Sequence, residues 1–276
     1  MQRKFSYLRK QREPVTPDID IITQRNAPPL FGIGLIETIP AADILANADP
    51  IDADFDGISG RVNRDGTVVG RFGYKAQESS VEEFTRAPIF AHMGITTNPL
   101  SAGPLVAGVT VAPQVSGPPE LPTIDLDGVP DPELSFQDLF DVIFFASNLA
   151  PPQRLPMNAQ AARGEELFTT IGCANCHIQN IVRTGTPINA FTDLLLHDMG
   201  PELADGMRQG DALGNEFRTQ PLWGLRHHAP YLHDGRGETI RDAITFHGGE
   251  AEAARNQFNG LSIADQDALI AFLETL

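Results

Sequence analysis

Cys173-Ala174-Asn175-Cys176-His177 is the stretch whose reading decides the fold. Two thiols three positions apart, followed at once by an imidazole, form the attachment signature of a c-type haem. The sulfurs can reach the two vinyl groups of one porphyrin, and the backbone between them sets His177 beneath the ring as an iron ligand. The chain has 2 cysteines, so none is spent elsewhere.

The plainer readings are a zinc site and a thiol redox pair. A structural zinc site wants four ligands, usually with a second Cys or His pair at short spacing, and no second Cys pair exists. A thioredoxin-type pair should follow a strand in a βαβ unit. This one follows a helical stretch.

Composition narrows the class. A chain of 276 residues with 41% hydrophobic and 20% charged residues is an ordinary globular protein with room for a sizeable core. Its 25 glycines and 22 prolines, with few evident strands, suggest helices joined by long irregular loops. The net charge of −16 argues against nucleic acid as a partner, because a polyanion would be repelled. It suits solubility and permits docking to a basic redox protein. No apolar run approaches the roughly 18 residues that a membrane span needs. Met1 to Pro14 carries five basic residues without a following apolar segment, so it does not read as a signal peptide. Covalent haem attachment takes place outside the cytoplasm, so either an export signal has been removed or the chain is part of something longer.

Along the chain, Phe5, Tyr7 and Leu8 suggest a short strand, and the Pro/Gly-bracketed run from Pro28 to Ile36 a buried connecting segment. Pro40 opens a short helix that Pro50 must end. Asp52, Asp54 and Asp56 alternate before Gly57, like the start of an EF-hand loop, and offer oxygens for calcium. Asn63 stands where the bidentate Glu should be, so a plain acidic turn built on Asx hydrogen bonds is the competing reading. Thr67 to Tyr74 suggests a short strand. Ser80 and Glu83 form a capping box that opens a helix, which Pro88 should kink or end. Thr96 to Glu133 lacks helical periodicity. Ser135 caps a helix over 136–149 that is apolar nearly all round, so it should be buried against the haem domain. Asn158 caps an amphipathic helix leading into the haem stretch, as cytochrome c domains begin, and Ser262 opens a last helix with one apolar face. The expected fold is mainly α with long irregular loops. Residues 1–152 form an N-terminal region and residues 153–276 a cytochrome c-like all-α haem domain.

The iron face opposite His177 also needs a ligand. Downstream candidates are His197, Met199, Met207, His227, His228, His233 and His247. Thr239 and Asp242 form a capping box, and Ile240, Ala243, Ile244 and His247 then share one helix face. His247 extends that apolar stripe, and Gly248-Gly249 ends the helix. A buried imidazole needs a partner, which can be iron or simply a backbone carbonyl.

Five segments together resemble the di-haem oxidoreductase (thiol oxidoreductase) family, a relative of the bacterial di-haem cytochrome c peroxidases. They are Arg25–Leu35, Asp56–Asn63, Cys173–His177, Thr192–Gly200 and Tyr231–Arg236. The resemblance implies two covalent haems, a periplasmic location, electron transfer between the haems and a small redox protein as donor or acceptor. In those relatives the distal ligand lies fourteen residues beyond the His of the Tyr-x-His motif. Counted from His233, that is His247, with Met199 as the alternative ligand and His233 beside the inter-haem region. Relatives also hold calcium between their haem domains. This chain departs from the pattern in having one Cys-x-x-Cys-His rather than two.

Three functions follow. The first is one-electron transfer by a single covalent haem, the electron-entry half of a peroxidase-like enzyme. The second is peroxide reduction at an open iron face, with His197 or His233 as general base. The third is a haem-free or zinc-binding module without redox chemistry.

Overall fold

The structure is a computed structural model that describes residues 21–98, 105–106, 109–110 and 127–276. The expected strand near Phe5, the expectation for the N-terminal stretch and most of the expected 96–133 loop lie outside those residues.

Helices dominate, in short pieces set by local caps. The helices α1 (Ile33–Glu37) and α2 (Ala41–Leu45) lead to a small hairpin of β1 (Arg64–Asp65) and β2 (Val68–Val69). Then come α3 (Val81–Met93) and a hairpin of β3 (Leu105–Val106) and β4 (Val109–Thr110). Next in the chain are α4 (Phe136–Asn148) and α5 (Ala159–Thr170). The antiparallel pair β5 (Leu196–Asp198) and β6 (Glu216–Arg218) aligns His197 with Phe217. The chain closes with α6 (Ile240–Phe246), α7 (Glu252–Gly260) and α8 (Ile263–Leu273). The caps are those the sequence indicated. Ser80, Ser135, Asn158 and Ser262 each accept the N–H three residues on. Thr239 and Asp242 complete both halves of a capping box.

Two expectations about helices fail for physical reasons. Of the kink or end expected at Pro88, the end does not occur, and α3 runs on to Met93. The proline costs about 3 kcal/mol, which burial of Val81 and Ile89 on the same helix offsets. The helix α4 is not buried all round. Leu139, Ile143 and Ala146 form a buried stripe against α1 and α3, whereas Phe136, Val142, Phe144 and Phe145 are exposed, Phe145 at 64%. Strong apolar content thus hid a two-faced helix that packs on α1 and α3.

Among the described residues two large apolar clusters, with a small one of Ala76, Leu196 and Ala212, make the core. One gathers α1 to α4 with Ile181, Ala190, Leu194, Leu195 and Trp223, so residues from both sides of position 152 share it. The other joins α5 to α8 with Phe191, Tyr231, Ile240 and Phe258. Within it the rings of Phe168, Phe191 and Phe272 meet at 5.3–6.0 Å in tilted or edge-on contact. The helices α5 and α8 cross so closely that a Cβ on Gly164 would lie 2.0 Å from the Ala268 carbonyl oxygen. In an open helix Gly→Ala gains about 1 kcal/mol. Here the clash outweighs that gain. Gly164→Ala is expected to lose about 1–3 kcal/mol of stability, read as a lower melting temperature. An unchanged or raised melting temperature would show that the crossing is not this tight.

Candidate haem site

The helix α5 delivers the chain to the site. After Thr170 a single turn over Cys173–Asn175 presents both cysteines, and the His177 N–H bonds back to the Cys173 carbonyl at 3.1 Å. Both cysteines are free thiols, and Cys173 packs on the second apolar cluster. Burial pushes the Cys173 thiol up to about 12. It also raises Cys176, against the pull of the neighbouring His197. Both thiols are therefore protonated at neutral pH.

The His177 ring is held by a hydrogen bond at Nδ1. Its Nδ1 lies 3.0 Å from the Phe191 carbonyl oxygen. Phe191 has a left-handed backbone (φ 55°), uncommon for an aromatic residue. Bonds from Phe191 N to Gln179 O and from Thr192 N to Ile178 O tie this turn to the segment after His177. Burial, then the nearness of His247, lowers the His177 pKa to about 4. The ring is neutral, and a carbonyl can only accept, so Nδ1 carries the proton and Nε2 keeps its lone pair.

His247 repeats the arrangement. The helix α6 ends at Phe246, one residue earlier than the periodicity implies, and His247 is its C-cap. Its Nδ1 lies 2.7 Å from the Ala243 carbonyl oxygen, and burial lowers its pKa. The lone pair again falls on Nε2. Both residues are half-buried. The carbonyl partner that competed with iron as a reading of His247 is present, yet it occupies only one of the two nitrogens.

Met199 lies in the loop after β5, its N–H bonded to the Asn215 carbonyl at 2.9 Å. A Cβ on Gly248 would come 3.0 Å from the Met199 carbonyl oxygen, so Met199 abuts the turn that follows His247.

His197 cannot be the general base that the sequence allowed. Its Nε2 lies 2.8 Å from Asp193 and its Nδ1 2.7 Å from Glu250, with Cys176 Sγ 3.8 Å from Nδ1. Burial opposes the charge, but the hydrogen bonds to Asp193, Cys176 and Glu250 outweigh it and push the pKa up to about 12. An imidazolium with both N–H groups engaged has no site for a proton. His233 is buried and stacks on Phe217 at 4.1 Å, with the edge of Tyr74 at 6.2 Å. Burial lowers its pKa.

The acidic turn gathers Asp52 and Asp54 with Asp49, which sequence reading missed, while Asp56 stands outside the group. Asp49 accepts from Ala53 N, Asp52 from Gly57 N, Asp54 from Asp56 N and Asp56 from Ile58 N. The bonds of Asp54 and Asp56, each to the N–H two residues on, are Asx turns. A second acidic group, Asp65, Glu78 and Glu83, also went unnoticed. Burial and a hydrogen bond with Asp65 raise Glu83 to about 9, so the group shares a proton. A hollow of about 630 Å³ among the described residues is lined by Leu35, Pro152, Val182, Phe191 and Trp223 and includes neither cysteine nor a candidate ligand.

Two neutral imidazoles with free Nε2 lone pairs and two free thiols, Cys173 on the apolar wall and Cys176 beside His197, could serve as a donor set for a covalently held haem. The fold and site define a haem-protein class. The chain belongs to the family described as "Di-haem oxidoreductase, putative peroxidase", which it matches over residues 13–276. The family implies haem c as cofactor. The chain is 30% identical over 133 residues to the methylamine utilization protein MauG of Methylorubrum extorquens, covering 44% of this chain and 35% of that protein. It is 29% identical over 147 residues to the cytochrome-c peroxidase IdrP2 of Denitromonas iodatirespirans, covering 44% and 40%. The matches thus span about a third to two fifths of the length of these curated relatives. A crystal structure of a MauG-like protein associated with microbial copper homeostasis aligns over 95% of both chains at 14% identity, with a TM-score of 0.42. Among the described residues no helix is long and apolar enough to cross a membrane.

Before haem is attached, Cys173 should react with iodoacetamide at pH 8 at least about tenfold more slowly than free cysteine, whose pKa is near 8.5. Labelling as fast as free cysteine would contradict the burial described.

Proposed function

We propose that this chain is a c-type haem module for one-electron transfer, the electron-entry half of a peroxidase-like enzyme. Cys173 and Cys176 would hold one haem covalently, and His177 and His247 would ligate its iron. Residues 153–276 are then the cytochrome c-like domain. The observation that carries the reading is the paired tautomer: each histidine donates Nδ1–H to a backbone carbonyl and keeps Nε2 free.

When bound, the haem supplies an iron that gains and loses one electron. The chain's residues supply the rest. The Phe191 and Ala243 carbonyls fix ring orientation and raise ligand basicity, so the same two nitrogens suit both oxidation states. The apolar wall of Phe168, Leu269 and Phe272 excludes water, which limits reorganisation around a changing charge. His197, Asp193 and Glu250 keep a fixed charge pattern beside Cys176. The net charge of −16 suits a small redox partner with a basic docking face. Covalent attachment suits an extracytoplasmic compartment. Asp49, Asp52 and Asp54 each accept one backbone N–H on one oxygen, so their remaining oxygens could hold a calcium ion, as the sequence reading allowed for Asp52 and Asp54.

The family's description as peroxidases favours a second reading, peroxide reduction at an open iron face. It requires His247 to leave the iron. His233, held neutral by burial, would be the base.

The test is an optical and electron-spin spectrum of the haem-loaded chain beside His247→Ala. Low-spin iron in the parent and high-spin iron in the variant are expected. Low-spin iron in both would transfer the role to Met199 or another group. High-spin iron in the parent would favour the second reading.

A further inference from the structure

The group around His197 reaches both sides of the site. Asp193 stands two residues after Phe191, whose carbonyl orients His177. Its second oxygen accepts from Leu195 N at 2.9 Å. Glu250 stands three residues after His247, in the turn that His247 opens. Its carboxylate takes His197 Nδ1 at 2.7 Å, Ser59 Oγ at 2.6 Å and Ser59 N at 3.1 Å. All three side chains of the triad are at most 10% exposed. The backbone draws in as well. Gly249 has a left-handed φ of 56°, and a Cβ there would lie 2.1 Å from the Asp198 carbonyl oxygen.

Resting on the reading of His177 and His247 as the iron ligands, we infer that His197 is a positioning residue that couples them. It clamps the turn after His247, through Glu250, to the segment that orients His177, through Asp193. A neutral residue in its place leaves two buried carboxylates without a positive charge between them, and their repulsion loosens the turn. A loosened turn lets His247 leave the iron more often. The clamp therefore sets how readily an outside ligand reaches the distal face, without touching the iron itself. Cys176 Sγ, 3.8 Å from His197 Nδ1, places the clamp against the edge where the haem is tethered.

The experiment compares Glu250→Gln and His197→Gln with the parent and with His247→Ala, all haem-loaded. Cyanide binding to the ferric iron reads the opening of the distal face. Amide exchange at Gly248–Ala251 reads the turn and needs no haem. Both rates should rise at least about tenfold in the two clamp variants, while exchange in α5 and α8 stays at the parent level. If His247→Ala changes the spin state but cyanide rates in the clamp variants stay within about twofold of the parent, the inference fails alone. If His247→Ala leaves the spin state unaltered, the ligand reading fails and the inference with it. Should a variant load no haem, exchange in the haem-free chain decides. Acceleration confined to the turn supports the clamp. Parent-like rates overturn it, as does acceleration throughout the chain, which would make the triad a general stability element.

Discussion

A histidine can bind a metal only through a nitrogen that carries no proton, and in a neutral ring the partner of the other nitrogen decides which one that is. This constraint organises the site. Phe191 and Ala243 each offer a carbonyl to Nδ1, and a carbonyl cannot donate. Burial keeps both rings neutral. Two histidines seventy positions apart are thereby put in the same tautomer by two unrelated pieces of backbone. One piece is the end of a helix. The other is a strained turn at Phe191, held by bonds to the segment just after the haem motif.

Charge is arranged on the opposite principle. His197 has carboxylates at both nitrogens and is fixed as a cation. The same residue type thus has two states within one small region, neutral where only carbonyls are offered and charged where only carboxylates are. An apolar wall serves the first case, because it depresses the pKa of a ring with no counter-charge. Ion pairs serve the second, because an unpaired imidazolium could not be buried there.

Signals that depend on near neighbours were legible in the sequence. The Cys-x-x-Cys-His stretch and the caps at Ser80, Ser135, Asn158, Thr239 and Ser262 are set within a few residues, and each lies where it was expected. Signals that depend on distant neighbours were not. Glu250 meets His197 from 53 positions away, and nothing local announces the pair. A hint was present, since His197 follows the apolar run Leu194–Leu196, and a histidine buried there requires polar partners. Asp193, four residues earlier, was the nearest available. The helix α4 was misread because composition counts apolar residues without saying which face the neighbours cover. An end at Pro88, one of the two outcomes expected there, was overridden by packing on either side of it.

The central claim is that two histidine nitrogens, both Nε2, hold one iron. Electron–nuclear double resonance on the ferric haem-loaded chain, with isotopically labelled histidine, tests it most directly. Strong couplings from two axial imidazole nitrogens are predicted. A single coupled imidazole, with sulfur or an open position on the other face, would contradict the account.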